Sequence, residues 1–552
     1  MKHNMENYEA TYRSFKWEIP EFYNFAYDTV DQWGARDRTK LALISVADDG
    51  RTAQKHTFWE LSRLSSKFAN LLLAAGARKG DKLLVLLPRI PEWYVAVLGA
   101  MKAGVIFMPT PTLSMPRDIE YRLNSSKANF AITDGENAFK IAAVQGNCPA
   151  LKQVFIVNGE KEGWINFNAE MEKAPVEIQK RVSTRSDEPL LIYFTSGTVG
   201  YPKMVQHTHA YPLAHIVTAK FVHDLQPNDI HWTIADTGWA KTAWGKLFGQ
   251  WLIGCTVLQR NPKGKFNPQI ALQVLENFGV TTFCAPPTVY RLLILEDLKK
   301  YRLSLRHCVS AGEPLNPEVI RAWEAGTGLK IYDFYGQTET VAVLANYPCL
   351  PVKEGSMGKP TPGHEVAIVD EQGKELPAGE EGHIAIRVKP FHPPGIFKGY
   401  LNQPGANEVA FRGDWYYTGD KAYKDEDGYF WFVGRADDVI KASGYRIGPF
   451  EVESALIEHP AVQESAVIGK PDPVRGEIVK AFVILKPGYE PSAGLVRELQ
   501  EHCKRVTAPY KYPREIEFVN ELPKTISGKI RRGELRRLEL QKMQSHRQPE
   551  QR

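Results

Sequence analysis

The sequence has no long apolar run, no paired-cysteine motif and no charge excess that would name a partner. Its most apolar stretch, Tyr94–Met108, is interrupted by Lys102 and falls short of the ~20 residues a membrane-spanning helix needs. The opening residues, MKHNMENYEATYRSFKWEIP, contain no apolar core of a secretory signal, so a soluble protein is expected. Cys148, Cys255, Cys284, Cys308, Cys349 and Cys503 lie far apart with no C-x-x-C pair. That spacing fits reduced, buried thiols and a cytoplasmic location. No G-x-x-x-x-G-K-[ST], G-x-S-x-G or H-E-x-x-H occurs, so Walker-type, serine-hydrolase and zinc-protease readings have no support. With 69 basic against 64 acidic residues, the formal charge of +5 is too balanced to argue for nucleic acid. Repeats and low-complexity tracts are absent as well.

The 552 residues exceed what one hydrophobic core organises, and 43% hydrophobic with 24% charged residues is the composition of a globular protein. From about residue 83 to 345 short apolar runs (KLLVLLP, GVIFMP, NFAITD, QVFIV, LLIYFT, TVLQ, TTFCAP, LRHCVSAG) alternate with helix-like periods, among them an amphipathic stretch over 92–103. This pattern predicts βαβ units with largely parallel sheets covered on both faces. From about residue 355, HEVAIVD, GHIAIRV and GYFWFVG alternate with period two, as antiparallel strands do. Beyond GRADDVIKASGYRIGP (434–449), helical and strand-like segments predict a small α+β unit. The expected fold is therefore a large multi-sheet α/β body with an antiparallel β subdomain over 1–434, and a small mobile α+β domain over 435–552. Residues 503–552 carry 13 Lys/Arg against 6 Asp/Glu, which suits either a solvated tail or a cationic surface for a polyanion.

The strongest local signal is LLIYFTSGTVGYPK, residues 190–203. A buried strand runs into a turn dense in small residues, hydroxyls and a lysine, with a helix expected after it. Converging backbone N–H groups and hydroxyls there can cradle phosphate. Three further constellations are each ambiguous singly: Ser310–Leu315 (SAGEPL), Asp333–Thr340 (DFYGQTET) and Pro523–Ile530 (PKTISGKI). His207 and His209, two apart, would diverge on a helix and suit core or solvent positions better than metal ligation.

Taken together and in order, TSGTVGYPK, AGEPL, DFYGQTE, YTGD (417–420), GRADDVIKASGYRIGP and PKTISGK resemble the adenylate-forming superfamily of acyl-CoA synthetases, peptide-synthetase adenylation domains and firefly-type luciferases. The similarity runs from about residue 25 to 540. PEFYNFAYDTVDQW and ADTGWAKTAWGK look most like the medium-chain acyl-CoA synthetase branch. Val199 departs from the family, which has Thr or Ser there.

The resemblance implies ATP, Mg²⁺ and coenzyme A as small-molecule partners. It implies that Thr195, Ser196, Gly197, Thr198 and Lys203 hold the β- and γ-phosphates. Gly312, Glu313 and Pro314, with Asp333 and the Phe334/Tyr335 pair, would frame adenine, followed by Gly336 and Gln337. Thr338 would donate to the α-phosphate, Glu339 would hold Mg²⁺, Asp420 and Arg435 would take the ribose, and Arg446 the phosphate end. Lys529 would be the catalytic lysine bridging carboxylate and α-phosphate. Asp437 matches the hinge of the small domain, and Ser443 and Gly444 match the coenzyme A tunnel. Trp239 and Gly336 match acyl-pocket positions. Acetate-specific relatives have Trp where Gly336 stands, so glycine there is expected to deepen the pocket, with Trp244 able to refill part of it.

The implied reaction is ATP, a carboxylic acid and coenzyme A to acyl-CoA, AMP and diphosphate through an acyl-adenylate. The acid is expected to be a short-to-medium-chain fatty acid or an aromatic acid. Loading of a carrier protein, an acetate-preferring ligase, a luciferase-like oxygenase and a non-catalytic nucleotide-binding regulator stand as alternatives. The chain is compatible with a monomer or a homodimer.

Overall fold

The structure, a computed structural model, describes residues 3–547 apart from 196–201, 437, 443–444, 473–474, 508–510 and 526–528. Four sheets organise it. The first has seven strands in the order Ile165–Asn166, Gln153–Val157, Phe130–Asp134, Lys82–Leu86, Ile106–Pro109, Pro189–Thr195 and Lys203–Thr208. All but the last pairing are parallel. Leu83 and Val85 enter one apolar cluster while Leu84 and Leu86 enter another. Consecutive residues of one strand thus bury on opposite faces, the reason such strands read as unbroken apolar runs.

The second sheet has nine strands and carries the parallel core Ile331–Tyr335, His307–Ala311, Thr282–Ala285, Ile230–Thr233, Thr256–Arg260 and Leu41–Val46. The third is antiparallel and contains Val366–Val369, Gly382–Arg387, Trp415–Lys424 and Phe430–Arg435. The fourth lies in the C-terminal part: Ile440–Ala442 pairs Tyr445–Ile447, and the long strands Val462–Asp472 and Gly476–Leu485 pair antiparallel, with Glu515–Phe518 parallel to the latter. Helices Pro449–Ile457 and Ala493–Val506 pack on this sheet around Val452, Leu456, Leu499 and Cys503. The expected α/β body and small α+β unit are both present. No helix among the described residues is long and apolar enough to cross a membrane.

Local chemistry sets the element ends. Thr57 opens helix Phe58–Ala74: its hydroxyl accepts from Glu60 N–H, while the Glu60 carboxylate accepts from Thr57 N–H, satisfying two donors that the helix itself cannot. Two elements differ from the sequence expectation. Helix Pro91–Lys102 is buried on nearly every side rather than amphipathic, because Lys102 finds Asp31 at 2.7 Å and Ser66 at 2.9 Å inside the protein. And 203–208 is a strand rather than a helix, running antiparallel to Pro189–Thr195 with Thr195 opposite Lys203. Met204, Val205 and His207 are buried, and the strand closes one edge of the sheet.

The first and second sheets and the segments between them bury five imidazoles. Burial pushes His207 and His209 down to about 4 and His231 to about 3, and holds His215 and His223 well below their ordinary value of 6.5. An unfolded imidazole takes a proton as pH falls below 6.5; these native ones do not. Stability therefore drops between pH 6.5 and about 4, by roughly 2 kcal/mol at pH 5 for a group like His207. We expect the urea midpoint at pH 5 to lie well below that at pH 7.5, a shift that an unchanged midpoint would contradict.

Candidate active site

Parallel strands of the second sheet end where the third sheet and the C-terminal domain meet it. Strand Ile331–Tyr335 delivers the turn Gly336–Thr340, which is closed by Gln337 N–H donating to Thr340 Oγ1 at 2.9 Å. From the third sheet comes Asp420, buried, whose Oδ2 accepts from Tyr335 Oη at 2.5 Å and Gln337 Nε2 at 2.7 Å. Tyr416 Oη donates to Gln337 Oε1 at 2.8 Å, fixing which end of that amide faces Asp420. Burial raises the Asp420 carboxyl, and the opposing charges include Arg435, whose Nε lies 3.5 Å from Oδ1, and Lys529.

Glu339 is also buried, and burial raises its carboxyl. Among the described residues, Tyr400 Oη donates to its Oε1 at 2.9 Å. A carboxylate whose charge is disfavoured by burial suits a hard cation. Mg²⁺ needs only one or two protein carboxylates alongside phosphate oxygens, so this donor set fits it. Lys203 Nζ lies over the Tyr400 ring, 4.6 Å from the centroid. The strand pair expected to lead into the phosphate loop therefore ends beside Glu339. The half-exposed Thr338 has no hydroxyl partner among the described residues, while its carbonyl accepts from His207 Nε2 at 2.7 Å.

On the neighbouring strand, His307–Ala311 runs into Gly312, Glu313 and Pro314. Gly312 has φ +104°, a conformation that costs glycine little, and Glu313 faces Arg291 at 3.5 Å. Asp333 is buried beside this loop with Oδ1 unpartnered, and burial pushes its carboxyl well above the usual range.

Two expectations change. Phe334 offers no open face: it is core, against Trp244 at 6.0 Å and His223 at 5.5 Å between ring centroids, and only Tyr335 of the pair reaches the cleft. Alternate residues of a strand face opposite ways, so the two rings cannot share one side. Nor does Gly336 open the acyl pocket by itself. A Cβ there would stand 2.5 Å from the Val341 carbonyl and 3.2 Å from the Trp244 ring. The glycine is required by backbone contact, and Trp244 already occupies the space below. Trp239 is half-buried.

Lys529 is exposed on the C-terminal domain, its backbone paired with Thr525, and is close enough to act electrostatically on both Asp420 and Lys241. Asn316 Nδ2 donates to Ser454 Oγ at 3.0 Å across the two parts. Ser196, Gly197, Thr198, Val199, Asp437, Ser443 and Gly444 lie outside the described residues, as does the side chain of Arg446, whose backbone pairs with Lys441. Sequence reasoning missed Tyr400, Tyr416 and Lys241, and gave His207 no part in the site. A tyrosine in GIFKGY or a histidine in VQHTH carries no local signal.

Residues 30–401 match the family described as AMP-binding enzyme, and residues 451–529 match its C-terminal domain. The chain belongs to that family. It is 48% identical over 547 residues to the mouse acyl-coenzyme A synthetase ACSM3, mitochondrial, covering 97% of this chain and 94% of that one. Human ACSM4, also mitochondrial, is 47% identical over 530 residues, covering 94% and 91%. Among solved structures, the anthranilate CoA ligase AuaEII in complex with anthranoyl-AMP superposes with TM-score 0.88 at 35% identity, covering 95% of this chain and 99% of that one. The protein is an AMP-forming acyl-CoA synthetase, an acid–thiol ligase, and membership of this family implies use of ATP, Mg²⁺ and coenzyme A. The expected cytoplasmic location is withdrawn, because these curated relatives are mitochondrial by name. Dispersed cysteines indicate a reducing compartment without saying which, and transit peptides lack the apolar run by which secretory signals are recognised.

The geometry at Gly336 separates two substitutions. Trp244→Ala should enlarge the acyl site and raise relative activity on octanoate over butyrate. Gly336→Ala should lower stability by about 1–3 kcal/mol through contact with the Val341 carbonyl, with no gain on short acids. Initial rates across a chain-length series and a urea titration measure both.

Proposed function

We propose that this enzyme activates short-to-medium-chain fatty acids or aromatic acids at the cleft between the second and third sheets. The observation that carries this is the Tyr335–Asp420–Gln337 cluster beside the buried carboxylate of Glu339, with Lys529 acting on Asp420 from the C-terminal domain. Asp420 with Arg435 receives the ribose hydroxyls, and Tyr335 supplies a face for adenine. Asp333, with Oδ1 unpartnered and its carboxyl pushed toward the neutral form, can meet the exocyclic amine of the base. Gly312, Glu313 and Pro314 line the base, and Thr338 donates to the α-phosphate. The 195–203 segment, ending at Lys203, holds the outer phosphates. Glu339 holds Mg²⁺, which neutralises phosphate charge when bound.

The barrier in the first half-reaction is the approach of two anions. Lys529 offers an ammonium to both the carboxylate and the α-phosphate, so charge builds up where a cation already stands. In the second half-reaction the coenzyme A thiolate attacks the acyl carbonyl and AMP leaves. We place the division between a large domain and a small one at residues 434 and 435, the hinge at Asp437, the coenzyme A passage at Ser443 and Gly444, and a phosphate contact at Arg446. Aromatic acids are supported by similarity to the anthranilate ligase and to a benzoate CoA ligase from Burkholderia xenovorans LB400, which is 29% identical with TM-score 0.83, covering 93% of this chain. Trp244 beneath Gly336 keeps the site shallow.

Acetate, butyrate, hexanoate, octanoate and benzoate, each with ATP and Mg²⁺ and with or without coenzyme A, form the test. Diphosphate release and thioester formation on hexanoate or benzoate, exceeding those on acetate, are expected; a strict acetate preference, or transfer only to a carrier protein, would overturn the proposal. Lys529→Ala should cut adenylation by about 10²–10³-fold or more. The same variant, given preformed acyl-adenylate and coenzyme A, should retain thioester formation. Equal loss of both half-reactions would argue for one static site.

A further inference from the structure

Lys241 has no role in the scheme above, yet its ammonium sits inside the cleft. It belongs to the segment that follows Trp239, and it is half-buried. Its Nζ donates to the Ala311 carbonyl at 2.6 Å, its one hydrogen bond among the described residues, and it stands 2.8 Å from where a Cβ on Gly312 would be. An ammonium has three donors, so two remain. No carboxylate among the described residues lies within ion-pair distance of it. The two nearest acids are already committed: Glu313 faces Arg291 at 3.5 Å, and Asp333 is driven toward its neutral form by burial. The neighbouring Cys284 thiol is pushed up by burial to about 11 and carries no charge at neutral pH. Lys529 adds a second positive charge from across the cleft.

Burial lowers the Lys241 ammonium, because an enclosed cation without a counter-charge is costly, and an arriving anion would restore its charge. Here the missing negative charge is one that the reaction delivers. We propose that Lys241 receives the carboxylate of the incoming acid, holding it between two ammonium groups, Lys241 on the acyl side and Lys529 on the phosphate side. The inference rests on the acyl-activating function proposed above.

The backbone of Gly312 supports this placement. A side chain there would meet the ammonium, so the glycine leaves Lys241 an unobstructed path along the strand end toward the cleft. Once the acyl-adenylate forms, the carboxylate charge is gone. Lys241 should therefore matter for acid binding and little for transfer to coenzyme A.

Lys241→Met should raise KM for hexanoate and for benzoate by about 10- to 100-fold, the scale of one charge-assisted hydrogen bond, with KM for ATP within about twofold of wild type. Lys241→Arg should recover part of the loss, which a purely structural role would not predict. Thioester formation from preformed hexanoyl-adenylate should be unchanged in Lys241→Met. As a readout independent of turnover, hexanoate should protect the wild-type protein against thermal unfolding better than hexanamide, and the variant should lose that distinction. An unchanged KM for acid, or equal losses for acid, ATP and transfer in a folded variant, would overturn the proposal. Absence of any adenylation by the wild type would instead remove the functional reading on which it rests.

Discussion

The site depends on one buried carboxylate. Asp420 is on the third sheet, while the two side chains that donate to it, Tyr335 and Gln337, are on the second. Taken from water with no partners, that carboxylate would be costly to hold charged. Satisfied from a different sheet, it fixes the distance between two layers that share no strand. Tyr416 extends the link by orienting the Gln337 amide, and Tyr400 repeats the device at Glu339. The cleft is therefore a seam stitched by polar contacts, and the apolar clusters lie to either side of it.

Much of this was legible because the chemistry is local. The dense run of glycine, hydroxyl and lysine stands out by itself, whereas the carboxylate in YTGD and the lysine in PKTISGK gain meaning only from the ordered set of short motifs. Apolar runs bounded by turns likewise indicated the parallel strands, since two-faced burial leaves no alternation to misread. Facing was harder. Phe334 and Tyr335 are adjacent in sequence, and which one reaches the cleft depends on the helices packed behind the strand. A small-residue phosphate turn commonly precedes a helix, yet 203–208 finds its sheet partner in the preceding strand.

Other contributors could not be read from the chain because their partners are remote. His207 meets a carbonyl 131 residues away, and Lys241 one 70 residues away. Trp244 beneath Gly336 is a similar case: the glycine looks like an absence that enlarges a pocket until the Val341 carbonyl is found against it. In each instance the missing information was three-dimensional neighbourhood rather than residue type.

Strand Lys203–Thr208 bears on how a triphosphate would be held. Where a glycine-rich turn opens a helix, the aligned peptide dipoles place about half a positive charge at the anion. An antiparallel strand has almost no net dipole to offer. In the proposed arrangement, compensation of the phosphate charge would include discrete groups, Lys203 on the strand itself and the cation that Glu339 would bind. A grip of that kind would be divisible among separate segments of the chain and could be assembled and released piecewise, as suits an enzyme that lets diphosphate go while keeping the adenylate.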